Sequence, residues 1–379
     1  MRGHLYPLDV LRFFAACCVV AFHLSFYGWA SAGSTTSTML QHTTAYPELA
    51  PVTWVGWVGV EIFFVISGFV IAQSSRGRTA REFLKSRVLR LYPAAWVCAT
   101  ITLLAWFAFA HRPVASEIGQ YLHSMVLWVE GPWIDGVYWS LGVEIVFYLL
   151  VVGSLVFSRV VPLSLLPWLL TAMTLGYTLV LWTPLFDFFN THSATRQILA
   201  HADTLMLRFG SFFALGIWLW MLSERMLKPV YVAGAMLAVL CCIGEILMRA
   251  RVMARGELAI SMVLPGWEAL VLWFGGVAFI VAAALRPHWF EVRSPGLQRI
   301  LVRVGLMTYP LFLVHNVLGA GLIRWSVTHG LNRWFALALA LTAALTVAYV
   351  VCAFAEVAVR KWLRGVIDGS AAALRGAPG

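Results

Sequence analysis

The chain has 379 residues, 61% of them hydrophobic and only 12% charged, with a mean hydropathy of +0.83. That composition excludes a soluble domain and identifies an all-α, polytopic integral membrane protein. The net charge of +10 does not point to nucleic acid, because no soluble basic domain accompanies it and the cytoplasmic loops of membrane proteins supply the same surplus.

At about 20 residues per crossing, the hydropathy pattern predicts ten spans, at 8–29, 54–73, 92–110, 138–157, 162–182, 204–222, 229–248, 264–285, 304–325 and 334–358. Together they form one membrane domain over 1–379, without repeats, linkers or an appended soluble domain. The first span is expected to stay uncleaved, since Arg2 and His4 precede it but no small-residue cleavage site follows a short apolar run. Its sequence, LDVLRFFAACCVVAFHLSFY, carries Asp9, Arg12 and His23, and ionisable groups inside an apolar span need a reason. Arg12 and His23 are 11 residues apart, which returns to within roughly 20° of one helical face, about 16.5 Å along the axis. The second span brings Glu61, in WVGVEIFFVISGF, close to its outer end.

Between the second and third spans lies the most basic connection, with Arg76, Arg78, Arg81, Lys85, Arg87 and Arg90 against one acid, Glu82. As a helix it has Phe83, Leu84, Val88 and Leu91 on one side, which predicts an amphipathic segment at the inner interface. Two uses are open to it. One is an anchor to anionic lipid; the other is a phosphate clamp, since guanidinium groups at i and i+3, Arg87 and Arg90, bind phosphate oxygens in bidentate fashion. The outer connections before the second and fourth spans carry Glu48, Glu117, Glu130 and Asp135 with almost no base, and a polar substrate can be met there.

The fourth span opens with Trp139 and Ser140 and carries Glu144, in WSLGVEIVFY, about five residues from its outer end. His201, Asp203 and Arg208 enter the sixth span from the same side, where Arg208 can pair with one of the buried acids or serve as a structural ion pair. The ninth span holds Tyr309, Pro310 and His315. Six residues apart, Tyr309 and His315 fall on opposite faces, so at most one need point inward. Glu245, Glu268 and Glu356 read as packing or snorkelling residues near span ends, and the tryptophans at 54, 57, 96, 128, 133 and 139 as interface anchors. The six cysteines all lie in apolar segments and read as small core residues.

Most of the 27 basic residues fall on the side of the inner connections and the C-terminal tail, so both termini are expected in the cytoplasm. Arg249, Arg251 and Arg255, on the outer side, run against that rule. His23, Glu61 and Glu144 then share the outer half of the membrane. A carboxylate beside an imidazole holds its tautomer and raises its basicity, which suits a general base acting on a hydroxyl. No metal-ligand cluster, nucleotide loop or GxSxG elbow is present.

Five stretches, LDVLRFFAACCVVAFH, GVEIFFVISGFVI, FLKSRVLRLYPAAW, WSLGVEIVFYLL and MTYPLFLVH, occur in the order and spacing of the bacterial acyltransferase-3 family, which the chain resembles. These are membrane-bound O-acyltransferases of O-antigen, exopolysaccharide, peptidoglycan and other glycans. The resemblance implies a multi-pass protein of the bacterial inner membrane that moves an acyl group from cytoplasmic acyl-CoA, acetyl-CoA first, to a glycan or lipid-linked oligosaccharide hydroxyl, with no metal. By it, Arg12 and His23 correspond to the family's first-span arginine and histidine, and Arg87 and Arg90 to its RxxR pair. The expected roles are acyl-CoA binding for Arg12, Arg87 and Arg90, and catalysis by His23, as base or as acyl carrier, oriented by Glu61 or Glu144. Arg208, Asp203, Tyr309, His315, Trp139 and Ser140 are candidates for acceptor-side or structural roles. Gly142 stands where the family often has serine, Ile145 where a second acid is common, and Thr308 where serine is common. The chain is expected to be a stand-alone member without the hydrolase-like C-terminal domain. A secondary transporter or glycan flippase with a buried charge relay is the rival.

Overall fold

The computed structural model describes residues 5–31, 33–110, 114–158, 162–183, 201–224, 226, 228–258 and 265–376. Arg2, Arg112, Arg159, Arg196 and Arg225, which entered the charge count, lie outside them. Every expected span overlaps a helix: α1 Tyr6–Ala30, α3 Ala50–Ser75, α4 Ala80–Phe109, α6 Gly136–Val156, α9 Pro229–Arg255, α10 Gly266–Leu285 and α11 Pro295–Thr328, with the shorter α7 Leu166–Trp182 and α8 Gly210–Ser223. α12 runs Arg333–Val350 and continues through a π-helical turn into Glu356–Gly376. Short helices α2 Thr35–Leu40 and α5 Val114–Met125 sit in the connections. Among the described residues eight helices are long and apolar enough to cross a membrane, and the protein is a multi-pass, all-helical membrane protein.

Close backbone contacts set the frame. α3 lies against α1 so tightly that a Cβ on Gly56 or Gly59 would overlap the carbonyl oxygens of Cys18 or Ala15. Without a hydrophobic drive between helices in lipid, small residues at such seams allow the approach that dispersion and packing need. α11 is the central helix, packed against α1, α4 and α12.

Three expectations change here. The basic connection is not a separate interfacial segment: it is the first third of α4, started by a capping box in which Thr79 and Glu82 satisfy each other's backbone N–H. Its buried side is Phe83, Leu89 and Leu91, while Leu84 is exposed. Pro93 lies inside this helix and cannot donate to Leu89 four residues back. Arg360 Nε takes that carbonyl instead, at 3.1 Å.

The connection before α6 is not a free outer loop. α5 runs back along α4, with Trp96 Nε1 donating to Met125 O at 2.7 Å and Trp106 Nε1 to Ile134 O at 2.8 Å. Its acids are committed: Glu117 and Asp135 are buried, and Glu130 pairs with His201 at 2.6 Å. In the earlier connection Glu48 pairs with Arg333 at 2.6 Å, and its own backbone N–H together with that guanidinium hold its carboxyl below the usual range.

The tryptophans expected at the interface include two that are core residues. Trp54 and Trp57 are buried, and Trp54 Nε1 donates to Glu268 at 2.8 Å. Gly142, where a serine is common, is explained by packing, since a Cβ there would overlap the carbonyl oxygen of Val129.

Candidate active site

Two cavities open within the bundle. The larger one, on the side expected to face the cytoplasm and so termed inner, is about 840 Å³ and lies between α1, α3, α4, α6, α11 and the last part of α12. Arg12, Lys85, Arg87, Arg90, Arg360 and Arg364 line it, so Arg12 and the α4 arginines share one space. Arg12 Nη1 lies 3.4 Å from Asp9 Oδ1. Arg87 rests over the rings of Phe83 and Tyr148, at 5.3 and 5.8 Å, and Arg90 over Tyr309 at 5.5 Å. Guanidinium groups held on aromatic faces keep their donor edges free for an anion.

Glu356, expected to pack or snorkel, is instead the counter-ion of this region: it is 2% exposed, pairs with Arg360, and lies 3.7 Å from Arg90. The signal for it was the i,i+4 spacing of Glu356 and Arg360.

Glu144 also belongs to the inner cavity, not to the neighbourhood of His23. Its Oε1 accepts from Tyr148 Oη at 2.5 Å and from Ser67 Oγ at 3.2 Å. Ser67 is six residues along α3 from Glu61, about 9 Å deeper. The expected depth failed because α6 begins level with the His315–Asn316 part of α11. Asp135, the residue before it, is itself buried against the middle of α11, where it accepts from Asn316 Nδ2 at 2.6 Å and Val317 N at 3.3 Å. Ser140 and Tyr309, candidates for the acceptor side, line the inner cavity as well, Tyr309 donating to Leu91 O at 3.2 Å.

The outer cavity, about 390 Å³, is lined by His23, Tyr27, Trp57, Glu61, Trp139, Asp203, Arg208, Arg249 and Asn316. Arg208 does not pair with Glu61 or Glu144. It bonds Glu245, which was expected only to pack, and reaches Asp203 at 3.5 Å. Glu61 is buried, and its Oε2 has no hydrogen-bond partner among the described residues.

His23 stands where α1 changes to π geometry, over His23–Tyr27, a distortion that recurs at functional sites. Its ring partner is His315, not a carboxylate. His315 Nδ1 is 3.1 Å from Leu311 O, His315 Nε2 is 3.1 Å from His23 Nδ1, and His23 Nδ1 is 3.1 Å from Val19 O. Carbonyl oxygens only accept, so both Nδ1 atoms carry the hydrogen. His315 Nε2 is then the acceptor for His23 Nδ1–H, and His23 Nε2 is left as the basic nitrogen. Spacing on the ninth span could not show this, because α11 is buried on every face over residues 308–321: Tyr309 on one face and His315 on the other both meet functional space. Among the described residues no three His, Cys, Asp or Glu gather as metal ligands.

The profile of the acyltransferase domain family, acyltransferase-3, matches residues 5–353. The chain belongs to this family. It is 25% identical over 325 residues to acyltransferase MdmB of Streptomyces mycarofaciens, covering 81% of this chain and 77% of that protein. It is 31% identical over 174 residues to nodulation protein 10 of Rhizobium leguminosarum bv. viciae, covering 39% and 43%. With the exopolysaccharide production protein ExoZ of Rhizobium meliloti (strain 1021) it shares 28% over 127 residues, covering 28% and 36%. The matches to the two rhizobial proteins thus span less than half of each. No solved structure matches the chain.

For an acyltransferase, the two cavities offer a cationic space on one side and a basic imidazole on the other. Tyr148, Arg360, Asn316 and the contact between His23 and His315 were missed in the sequence. Of these only Tyr148, one turn from Glu144, and Arg360 had a local signal.

Proposed function

We propose that this acyltransferase takes an acyl group, acetyl in the first instance, from cytoplasmic acyl-CoA and transfers it to a hydroxyl of an exported or cell-surface glycan, free or lipid-linked, at the bacterial inner membrane. The reading is carried by one observation: a cavity with six basic side chains and a cavity with His23 meet at a single residue of α3, Val60, which lines both. The basic end faces the cytoplasm by the excess of Lys and Arg there. CoA phosphates pair with Arg87, Arg90 and their neighbours, and the pantetheine arm rises past Tyr148 and Tyr309 toward Val60. The glycan side of the reading draws on the name of ExoZ and on the hydroxyl-binding character of a cavity with Glu61, Asn316, Trp57 and Trp139.

In the reaction the acceptor oxygen attacks the thioester carbonyl carbon. The new C–O bond forms as the C–S bond breaks, the hydroxyl proton passes to His23 Nε2, and the leaving thiolate recovers a proton as CoA–SH. The test uses purified protein in vesicles with labelled acetyl-CoA, alongside mass spectrometry of surface polysaccharide from a deletion strain. Gradient-independent release of CoA and loss of acetyl groups from the polysaccharide are expected. An unaltered polysaccharide with no CoA release, or acyl transfer that needs an ion gradient, overturns the proposal.

His315 acts as a positioning residue through His23. As His23 becomes an imidazolium, its Nδ1–H bond to His315 strengthens, and a hydrogen bond to a charged group is worth about 1.5–3 kcal/mol. His315→Leu should therefore lower kcat by about 10–100-fold without changing the KM for acyl-CoA, Val19 O still holding the tautomer. His315→Gln, whose amide oxygen reaches the same point, should recover most of that loss. Equal damage from both variants would reduce His315 to packing.

A further inference from the structure

The two cavities do not merge, and what separates them is specific. Along α3 the residues facing the outer cavity are Trp57, Val60 and Glu61, and those facing the inner cavity are Val60, Phe63, Phe64, Ser67, Val70 and Ile71. Val60 is the shared residue, and it is 7% exposed. Beside it Phe63 packs edge-to-face on Phe312 of α11 at 5.9 Å, one turn before His315. Phe64 is stacked on Phe213 at 4.7 Å. The end of the inner cavity nearest His23 is therefore apolar, in contrast to its basic mouth.

The backbone at this point has no slack. Gly56 and Gly59 press α3 onto α1 on one side of Val60, and a Cβ on Gly68 would overlap the carbonyl oxygen of Phe213 in α8 on the other. Passage between the cavities therefore depends on the side chain at position 60 and on the Phe63–Phe312 pair, not on a shift of the helix.

We propose that Val60 sets which acyl groups this protein transfers, admitting short ones and excluding long ones, an assignment that rests on the acyl-CoA reading above. The carbonyl carbon must come within about 3–3.5 Å of a hydroxyl activated by His23, and His23 lines only the outer cavity. The CoA body occupies the inner one. The acyl group is the part of the donor that lies at the partition, and its cross-section and length are measured there by the two methyl groups of Val60. No other residue touches both spaces among those that line them.

The experiment compares wild type, Val60→Ala and Val60→Phe in vesicles with acetyl-, butanoyl- and hexanoyl-CoA, reading transfer and, separately, acyl-CoA binding. One methylene in an apolar pocket is worth about 10–200-fold in specificity. Val60→Ala should raise the ratio of butanoyl to acetyl transfer, as kcat/KM, by at least about tenfold. Val60→Phe should cut transfer of every acyl group by about a hundredfold while binding of acyl-CoA is kept, which also shows that this variant is folded. An active wild type whose chain-length ratio is unmoved in Val60→Ala overturns the assignment and leaves the acyl-CoA reading intact. A wild type inert toward every acyl-CoA overturns both.

Discussion

His23→Ala is expected to lower acyl transfer by about 10²–10⁴-fold, the usual worth of a positioned general base, with acyl-CoA binding unchanged. The second half of that statement follows from geometry. His23 lines the outer cavity, whereas Arg12, Lys85, Arg87, Arg90, Arg360 and Arg364 line the inner one, so removing the imidazole leaves the donor's contacts alone. The ring's hydrogen bonds involve Val19 O and His315 Nε2, and neither loss unlocks a helix, since α1 is held to α3 at Gly56 and Gly59. His23→Gln separates proton removal from mere hydroxyl binding: an amide can hold the acceptor hydroxyl but cannot accept its proton, so it should be as inactive as alanine. Transfer kinetics at saturating acyl-CoA, with a binding measurement on the same preparation, check both halves. Substantial activity in His23→Ala would remove His23 from the chemistry.

The membrane architecture was legible because a crossing helix is a long, strongly apolar signal whose length is fixed by the bilayer. The joint location of Arg12, Arg87 and Arg90 followed from residue type and family resemblance, and the structure gathers them around one cavity. What spacing alone could not give was depth and partner. A helical wheel gives the angle between two side chains of one helix; it does not give the height at which that helix meets its neighbours. Counting from a span end places Glu144 beside His23, yet α6 starts level with His315 because Asp135 is drawn in to Asn316 and Val317, so Glu144 falls well beyond the imidazole.

Asp135 itself looked like a loop acid, since nothing local marks a carboxylate that will be buried by a hydrogen bond 181 residues away. Glu245 and Glu356 escape for the same reason: a lone acid near the end of a span reads as snorkelling until its arginine, in the turn before another helix or one turn away, is seen beside it. Tyr309 and His315 read as alternatives because a one-faced helix can use only one of two opposite residues, and α11 is not one-faced over 308–321.

The largest effect expected on the donor side is from Arg87→Ala combined with Arg90→Ala, which should raise the KM for acyl-CoA by a hundredfold or more. Each charge-assisted hydrogen bond to phosphate is worth about 1.5–3 kcal/mol, and the two side chains are pre-set on aromatic faces, so little ordering cost offsets the loss. The lipid-anchor use predicts something different. An anchor presents its cations to headgroups at the outer surface of the bundle, whereas Arg87 and Arg90 line a cavity between helices with Arg12 and Arg360. Arg87→Lys with Arg90→Lys should recover part of the affinity only, since an ammonium keeps the charge but not the bidentate fork. Acyl-CoA KM should also rise with ionic strength in the wild type and much less so in the double alanine variant, because the screened interaction is already gone. Turnover at saturating donor should stay near wild type, as neither arginine lines the cavity that holds His23. If instead the double variant keeps its acyl-CoA KM and loses only membrane retention, these arginines serve the lipid and the donor phosphates must be sought elsewhere.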